Sequence, residues 1–371
     1  MMIRILHIVH ALTNGGGLSN FVMNYYRKID RRKIQFDFVY FKETNELFKN
    51  EIIRSGGRVF KWTEPSPDLK YRKEARDFFK AHSREYIAIH CHALFAVAAY
   101  GKTAKKYGVK NIIAHSHNIG YGENGWVRNI RNRYFVFMCR YFSDYQFACS
   151  TDAAVFMFGK KNYNAGKVLI IKNAVDCEKF YFNERTRDEV RKELQLHNCL
   201  TIGHVGGFTK QKNHQFLISL FYKYLTINPN SKLVLVGGNG LVSGATMPEM
   251  MNLVQRLGIS EKVIFTGLRD DVNRIMMGMD LFLFPSTFEG FGLVLVEAQA
   301  SGLKCIASDR VPAETKCTDR ITYLPLENED KWINEIKNTS IHNRKVNKSD
   351  FLKYDIGYNA EKLERFYVSL T

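Results

Sequence analysis

No apolar run in this chain reaches the roughly 18 to 20 residues that a bilayer-spanning helix needs, so the polypeptide is not expected to cross a membrane. No Cys-x-x-Cys pair occurs among Cys91, Cys139, Cys149, Cys177, Cys199, Cys305 and Cys317, which removes the common zinc and dithiol redox motifs. An odd, scattered set of cysteines fits a reducing cytoplasm. A cleavable leader is not legible either. The opening Ile3-Arg4-Ile5-Leu6-His7-Ile8-Val9-His10 carries a charge, lacks a small-residue cleavage site and runs into a glycine loop, so it reads as a first buried strand. No short tandem repeat is present, which sets a solenoid aside.

What is present suits two domains of ordinary size, since 371 residues exceed one common core. With 45% hydrophobic and 25% charged residues the composition is that of a soluble globular chain. The formal charge of +17 is unevenly placed: residues 1 to 190 hold 32 Lys and Arg against 18 Asp and Glu, while residues 191 to 371 hold 22 against 19. The first half is therefore expected to meet an anionic partner. Its stretch from Lys102 to Arg140 concentrates the charge, with Lys105, Lys106, Lys110, Arg128, Arg131 and Arg133 against the single acid Glu123, and with Tyr121, Trp126 and Val127 beside them. A merely solvated surface is the plainer reading of such a run.

Short β-rich apolar runs alternate with amphipathic segments, the pattern of an α/β fold with helices on both faces of parallel sheets. Strands are predicted near Ile3 to His10, Gln35 to Phe41, Val59 to Trp62, Ile87 to His92, Asn111 to His115, Tyr145 to Cys149 and Val168 to Ile171. Leu18, Phe21, Val22, Tyr25, Tyr26 and Ile29 recur at helical spacing and form a stripe that must pack on the sheet. The pattern restarts at Leu200 after a charged stretch, with strands near Lys232 to Val236, Val263 to Thr266, Leu281 to Phe284 and Lys304 to Ala307. This gives a first domain over residues 1–190, a second over 191–350 and a last helix over 351–371. That helix carries Leu363, Phe366, Tyr367 and Leu370 on one face and is expected to pack back on the first domain.

In open parallel sheets ligands bind beyond the carboxyl ends of the strands. Gly15-Gly16-Gly17 follows the first strand, His92 the fourth, and His115-Ser116-His117-Asn118 the fifth. Gly206-Gly207, Gly237-Gly238-Asn239-Gly240, Gly267 and Pro285 to Gly290 follow strands of the second half. Turn chemistry accounts for part of the glycine, but not for the histidines and glutamates. In Glu289-Gly290-Phe291-Gly292-Leu293-Val294-Leu295-Val296-Glu297 a glycine-punctuated loop enters an apolar helix. Unpaired N–H groups and the positive end of the helix dipole at Gly290 to Leu293 make a seat for a diphosphate. Glu297, a turn inside, is placed to accept hydrogen bonds from ribose hydroxyls, and Glu289 to reach a sugar. Alone, either glutamate reads more plainly as an exposed or capping residue. Gly206-Gly207-Phe208-Thr209-Lys210-Gln211-Lys212-Asn213-His214 is a second loop entering a helix, and its lysines would neutralise phosphate charge on a departing group.

With these residues assembled, the chain resembles family 4 of the retaining GT-B glycosyltransferases, in particular the bacterial members that build exopolysaccharide and capsule. Glu289 and Glu297 look like the family's paired glutamates, and Val205-Gly206 to Lys212-Asn213-His214 like its phosphate-binding segment. Ile171 to Asp176 and Phe180 resemble the segment that closes the first domain. The resemblance implies two Rossmann-like domains facing a central cleft, and a nucleotide-sugar donor, with uridine diphosphate the expected carrier. It assigns donor contacts to Gly16, Gly17, Gly206, Gly207, Lys210, Gly238, Leu268, Gly290, Phe291, Gly292, Leu293 and Glu297, and catalysis to His117, Glu289 and Lys212. His92 and Asn118 would lie near the acceptor or the sugar. The family often carries an arginine beside the second-domain glycine, where this sequence has Gly207. No Asp-x-Asp pair occurs, in keeping with a GT-B enzyme, so no metal or other cofactor is expected. The expected partners are the donor, a lipid-linked saccharide acceptor and an anionic membrane, on whose cytoplasmic face the protein would sit peripherally.

Rival readings share parts of this pattern. A nucleic-acid-binding protein would account for the charge, but no RNA-recognition, zinc-finger or helix-turn-helix signature accompanies it, so no nucleic-acid partner is expected. A nicotinamide oxidoreductase built on Gly15 to Gly17 lacks the third fingerprint glycine, having Asn20 there. A non-catalytic sugar-nucleotide binder and a sugar-nucleotide epimerase of the same fold are the nearer alternatives.

Overall fold

The computed structural model describes residues 2–12, 17–42, 46–66, 69–117, 120, 126–239, 246–339 and 343–371. The chain divides into two compact units, Met1–Ala174 with Ile356–Thr371, and Val175–Asp355.

The first unit is built on seven parallel strands: β1 (Ile3–Ile8), β2 (Ile34–Tyr40), β3 (Val59–Lys61), β4 (Ala88–Cys91), β5 (Asn111–Ser116), β6 (Tyr145–Ala148) and β7 (Val168–Ile170). Their order is β3-β2-β1-β4-β5-β6-β7. Every residue of β2 is buried, as expected of a strand covered on both faces. The first helix, Gly17–Lys28, lays Phe21, Val22, Tyr25 and Tyr26 into a core that also takes Ile356, Ala360, Leu363 and Tyr367 of the last helix, Ile356–Val368. The apolar stripe read in the first helix is thus the one buried. Phe366 and Leu370 pack at the edge of the same core.

The second unit carries six parallel strands: β8 (Leu200–Val205), β9 (Ser231–Val236), β10 (Val263–Gly267), β11 (Leu281–Phe284), β12 (Lys304–Ser308) and β13 (Ile321–Leu324). The order is β10-β9-β8-β11-β12-β13. The strand order reverses between β8 and β11, which opens a crevice between the loops that follow these two strands.

The division falls after Ala174, sixteen residues earlier than the charged stretch suggests, and the reason is a buried ion cluster. Asp280, just before β11, accepts hydrogen bonds from Arg187 and Arg191 and from the Thr201 amide. The charged helix Glu184–Glu193 is therefore bound into the second unit. β13 is a strand that the sequence reading does not include. It has only four residues, Ile-Thr-Tyr-Leu, at the sheet edge.

Candidate active site

In the second unit the residues after β8 and β11 are stitched together. Gly206 and Phe208 donate from their amides to Val236 and Gly238 carbonyls at 2.9 Å each. This close approach needs glycine at 237: its φ is 155°, and a Cβ there would lie 2.0 Å from the Gly206 oxygen. Lys210–Lys212 form one 3-10 turn, and Asn213, with φ 54°, redirects the chain into the helix His214–Leu225. The turn brings Lys212 back over the sheet edge. Its Nζ donates to Oε1 of Glu289 at 2.6 Å and stands 4.6 Å from the centre of the Phe284 ring. Gln211 donates to the Phe288 carbonyl at 2.9 Å and accepts from the Thr287 amide at 2.8 Å. Lys210 is exposed.

Gly292, with φ 90°, caps a helix that begins at Leu293 and runs to Ala300. Gly290 and Phe291 are thus loop residues just ahead of the first helical turn. Among the described residues the Glu297 carboxyl makes no hydrogen bond and no ion pair, and burial pushes its pKa up to about 7. A carboxyl without a partner in protein surroundings is set to accept hydroxyl donors. Gly238 and Leu268 are neighbours, since a Cβ on Gly238 would lie 2.7 Å from the Leu268 side chain, and Leu268 is 83% exposed. Among the described residues, a Cβ on Gly207 would meet only the Gly238 carbonyl, at 3.7 Å.

The first unit presents histidines at the carboxyl edge of its own sheet. His7 on β1 is in register with His90 on β4, and His92 and His117 lie one residue past β4 and β5. The two-residue period of a strand puts His90 with His92, and His115 with His117, on one face. The rings form two rows. In one, His7 Nδ1 faces His92 Nε2 at 3.0 Å, and His92 Nδ1 faces His117 Nε2 at 2.9 Å. In the other, the Tyr367 hydroxyl meets His90 Nδ1 at 2.6 Å, and His90 Nε2 faces His115 Nδ1 at 3.1 Å. Burial lowers the pKa of every ring, that of His117 to about 3, so all stay neutral near pH 7. Phe21 packs edge-on against His117 with centroids 4.9 Å apart. His117 is the partly exposed member; His92, read from sequence as lying near acceptor or sugar, is buried beneath it. Two trios, His7-His90-His92 and His92-His115-His117, bring nitrogens within 4.8 Å of one another. The nitrogens that face each other along the rows stand at hydrogen-bond distance.

Gly16 and Asn118 lie outside the described residues, and Gly17 is the first residue of the first helix. The parts played by His7, His90 and Tyr367 are not read from the sequence. The His-x-His spacing at 90 and 92, and again at 115 and 117, is the signal that two strands turn a histidine face the same way.

A third feature lies on the helix Trp126–Phe142. Asn132, Val136 and Cys139 face the core, while Trp126, Ile130, Tyr134, Phe137 and Tyr141 form one stripe on the opposite side, every member at least 50% exposed. Exposed Arg131 and Arg133 lie on either side of it. Of the other basic residues near this helix, Lys105 is engaged by Asp144 at 2.6 Å and Arg140 by the Met157 carbonyl. No helix among the described residues is long and apolar enough to cross a membrane.

Residues 15–179 match the sequence model for Glycosyltransferase Family 4, and residues 199–339 that for Glycosyl transferases group 1. Bacillus subtilis EpsF, named as a glycosyltransferase, is 30% identical over 368 residues, covering 97% of this chain and 94% of that protein. An Escherichia coli UDP-Gal:alpha-D-GlcNAc-diphosphoundecaprenol alpha-1,3-galactosyltransferase is 32% identical over 147 residues, 38% of this chain and 37% of that enzyme. Among solved structures, Anabaena HepE in complex with UDP superposes with a TM-score of 0.72 at 20% identity, over 100% of this chain and 97% of HepE.

Proposed function

The chain belongs to family 4 of the glycosyltransferases, with the GT-B fold, and on that premise we propose that it transfers a hexose from a UDP-sugar, with retention, to a lipid-linked saccharide at an anionic membrane face. The observation that carries the donor half is the joining of the loops after β8 and β11, together with a Glu297 carboxyl that has no hydrogen-bond or ion-pair partner among the described residues. The Gly290 to Leu293 amides and Lys210 take the diphosphate, Glu297 takes the ribose hydroxyls, and Gly238 and Leu268 border the base. Lys212, shared with Glu289, stabilises charge on the departing diphosphate. Glu289 orients the sugar and holds Lys212 in place. The acceptor hydroxyl attacks from the face that the nucleotide leaves, and His117 is the residue assigned to the transferred sugar. Positive side chains and a helix terminus thereby meet the charge that a divalent cation meets in other transferases.

UDP as carrier is supported by the nucleotide in the HepE complexes, and the lipid diphosphate acceptor by the substrate named for the Escherichia coli relative. The membrane face is supported by the helix Trp126–Phe142. Its apolar stripe points away from its own core and is bordered by arginines, the character of a helix that lies in the interface of an anionic bilayer. Transfer from UDP-hexoses to a lipid diphosphate saccharide in vesicles tests the whole reading.

A further inference from the structure

The row His7-His92-His117 constrains its own protons. Ring centroids along it are 5.2 and 5.1 Å apart while the facing nitrogens are 3.0 and 2.9 Å apart, so the rings meet end to end. Each of these contacts holds one proton, with an N–H on one side and a lone pair on the other. A neutral imidazole has one N–H. The linkage runs Nδ1 to Nε2 twice in the same sense, so only two assignments satisfy both contacts: all three rings carry the proton on Nε2, or all three carry it on Nδ1. In the first, His117 turns a bare Nδ1 outward; in the second, it turns an N–H outward.

The inner end of the row is closed. Nε2 of His7 is buried without a hydrogen-bond partner among the described residues. Passing from one assignment to the other requires a proton to leave His7 there while another enters at His117 Nδ1, and among the described residues no group at the closed end takes it. We propose that His7 and His92 are positioning residues that lock the tautomer of His117, and thereby fix whether its outward Nδ1 donates or accepts at the transferred sugar. The last clause rests on the sugar-binding role given to His117 above.

The second row supplies the comparison. His90 stacks on His92 with centroids 4.3 Å apart, and His115 on His117 at 4.1 Å. It is buried throughout, and its hydrogen bonds run from Tyr367 to His115 and end at a buried Nε2 that has no partner among the described residues. Removing His90 therefore disturbs packing without breaking the contacts that reach His117.

Histidine-labelled protein, studied by nitrogen NMR without donor or acceptor, reads the tautomers directly. His7, His92 and His117 are expected to share one tautomer, and His92→Phe to leave His117 a mixture of two. In transfer assays His92→Phe and His7→Phe should lower kcat by about tenfold or more with donor KM held within about twofold, while His90→Phe changes kcat less than about twofold. Opposite tautomers on His92 and His117 in the unaltered protein overturn the proposal. So does an equivalent of tightly held metal on these nitrogens, or an equal loss of kcat in His90→Phe and His92→Phe. Because the unaltered protein gives the first readout, a variant that fails to fold does not remove the test. A shared tautomer together with full transfer by His117→Ala refutes the sugar role of His117 while leaving the lock standing.

Discussion

Lys212 donates from Nζ to Oε1 of Glu289 at 2.6 Å, tying together two loops 77 residues apart in the chain. The Glu289 side chain is only 8% exposed and that of Lys212 19%, so each ion depends on the other for solvation. Lys212→Ala leaves a nearly buried carboxylate unpaired, and should lower stability by about 2 to 4 kcal/mol and weaken UDP binding. Glu289→Gln keeps the shape and frees the ammonium. It should hold the UDP affinity within about threefold yet lower kcat by at least about a hundredfold. Calorimetry and initial rates on the two variants check this. Equal loss of UDP affinity in both would show that Glu289 serves only to build the donor site.

Glu297 gives the donor site a pH dependence. Its carboxyl ionises near 7 in the free protein, and ribose hydroxyls donating to the carboxylate favour the charged form and bring the pKa down on binding. Affinity for UDP should therefore be full above pH 8 and fall as pH drops through 7, with a proton released on binding. Glu297→Gln should bind more weakly at pH 8 and lose the part of the pH slope not due to the phosphate itself. Titrations in two buffers of different ionisation enthalpy measure the proton count; identical slopes in the parent and the variant would contradict the assignment.

The family resemblance puts an arginine where this chain has Gly207, and among the described residues a Cβ there would meet only the Gly238 carbonyl, at 3.7 Å. Gly207→Arg should fold normally and tighten UDP binding by about threefold to tenfold through a charge-assisted contact to phosphate. The gain should vanish for uridine. A loss of stability, or an equal gain for uridine, would place the phosphates elsewhere.

For the membrane face, vesicle sedimentation should show binding that needs anionic lipid and falls as salt rises. Arg128→Glu with Arg131→Glu and Arg133→Glu should abolish it. Trp126→Ser with Ile130→Ser and Phe137→Ser should weaken binding at high salt as well, since these side chains supply the apolar contact. Partitioning that is indifferent to lipid charge, or absent at low salt, removes this surface from the account.

Much of this architecture is legible in the chain itself, because parallel strands covered on both faces read as short apolar runs. β1, β2, β8 and β11 fall where those runs are, and Phe21, Val22, Tyr25 and Tyr26 face the core as their spacing requires. What escapes is whatever depends on partners distant in sequence. The charged helix Glu184–Glu193 looks like a linker until Asp280, some ninety residues away, is seen to hold Arg187 and Arg191. β13 escapes because four residues at an edge leave little periodicity. Glu289 and Lys212 are each conspicuous, but their pairing needs the β8-β11 adjacency. The histidine rows need the register of three strands and a tyrosine from the last helix. The stripe on Trp126–Phe142 has the spacing of an ordinary core helix, and only the fold shows that it faces outward.

The most direct measurement is a transfer assay with UDP-hexoses, and GDP- and ADP-hexoses beside them, on a lipid diphosphate saccharide in anionic vesicles, with the product linkage read by NMR. The account predicts addition of one hexose from a UDP donor with the donor's anomeric configuration kept, and loss of that product with Glu297→Ala and with His117→Ala. Donor binding without transfer to any such acceptor, transfer from GDP- or ADP-sugars alone, or a product of inverted configuration would contradict it.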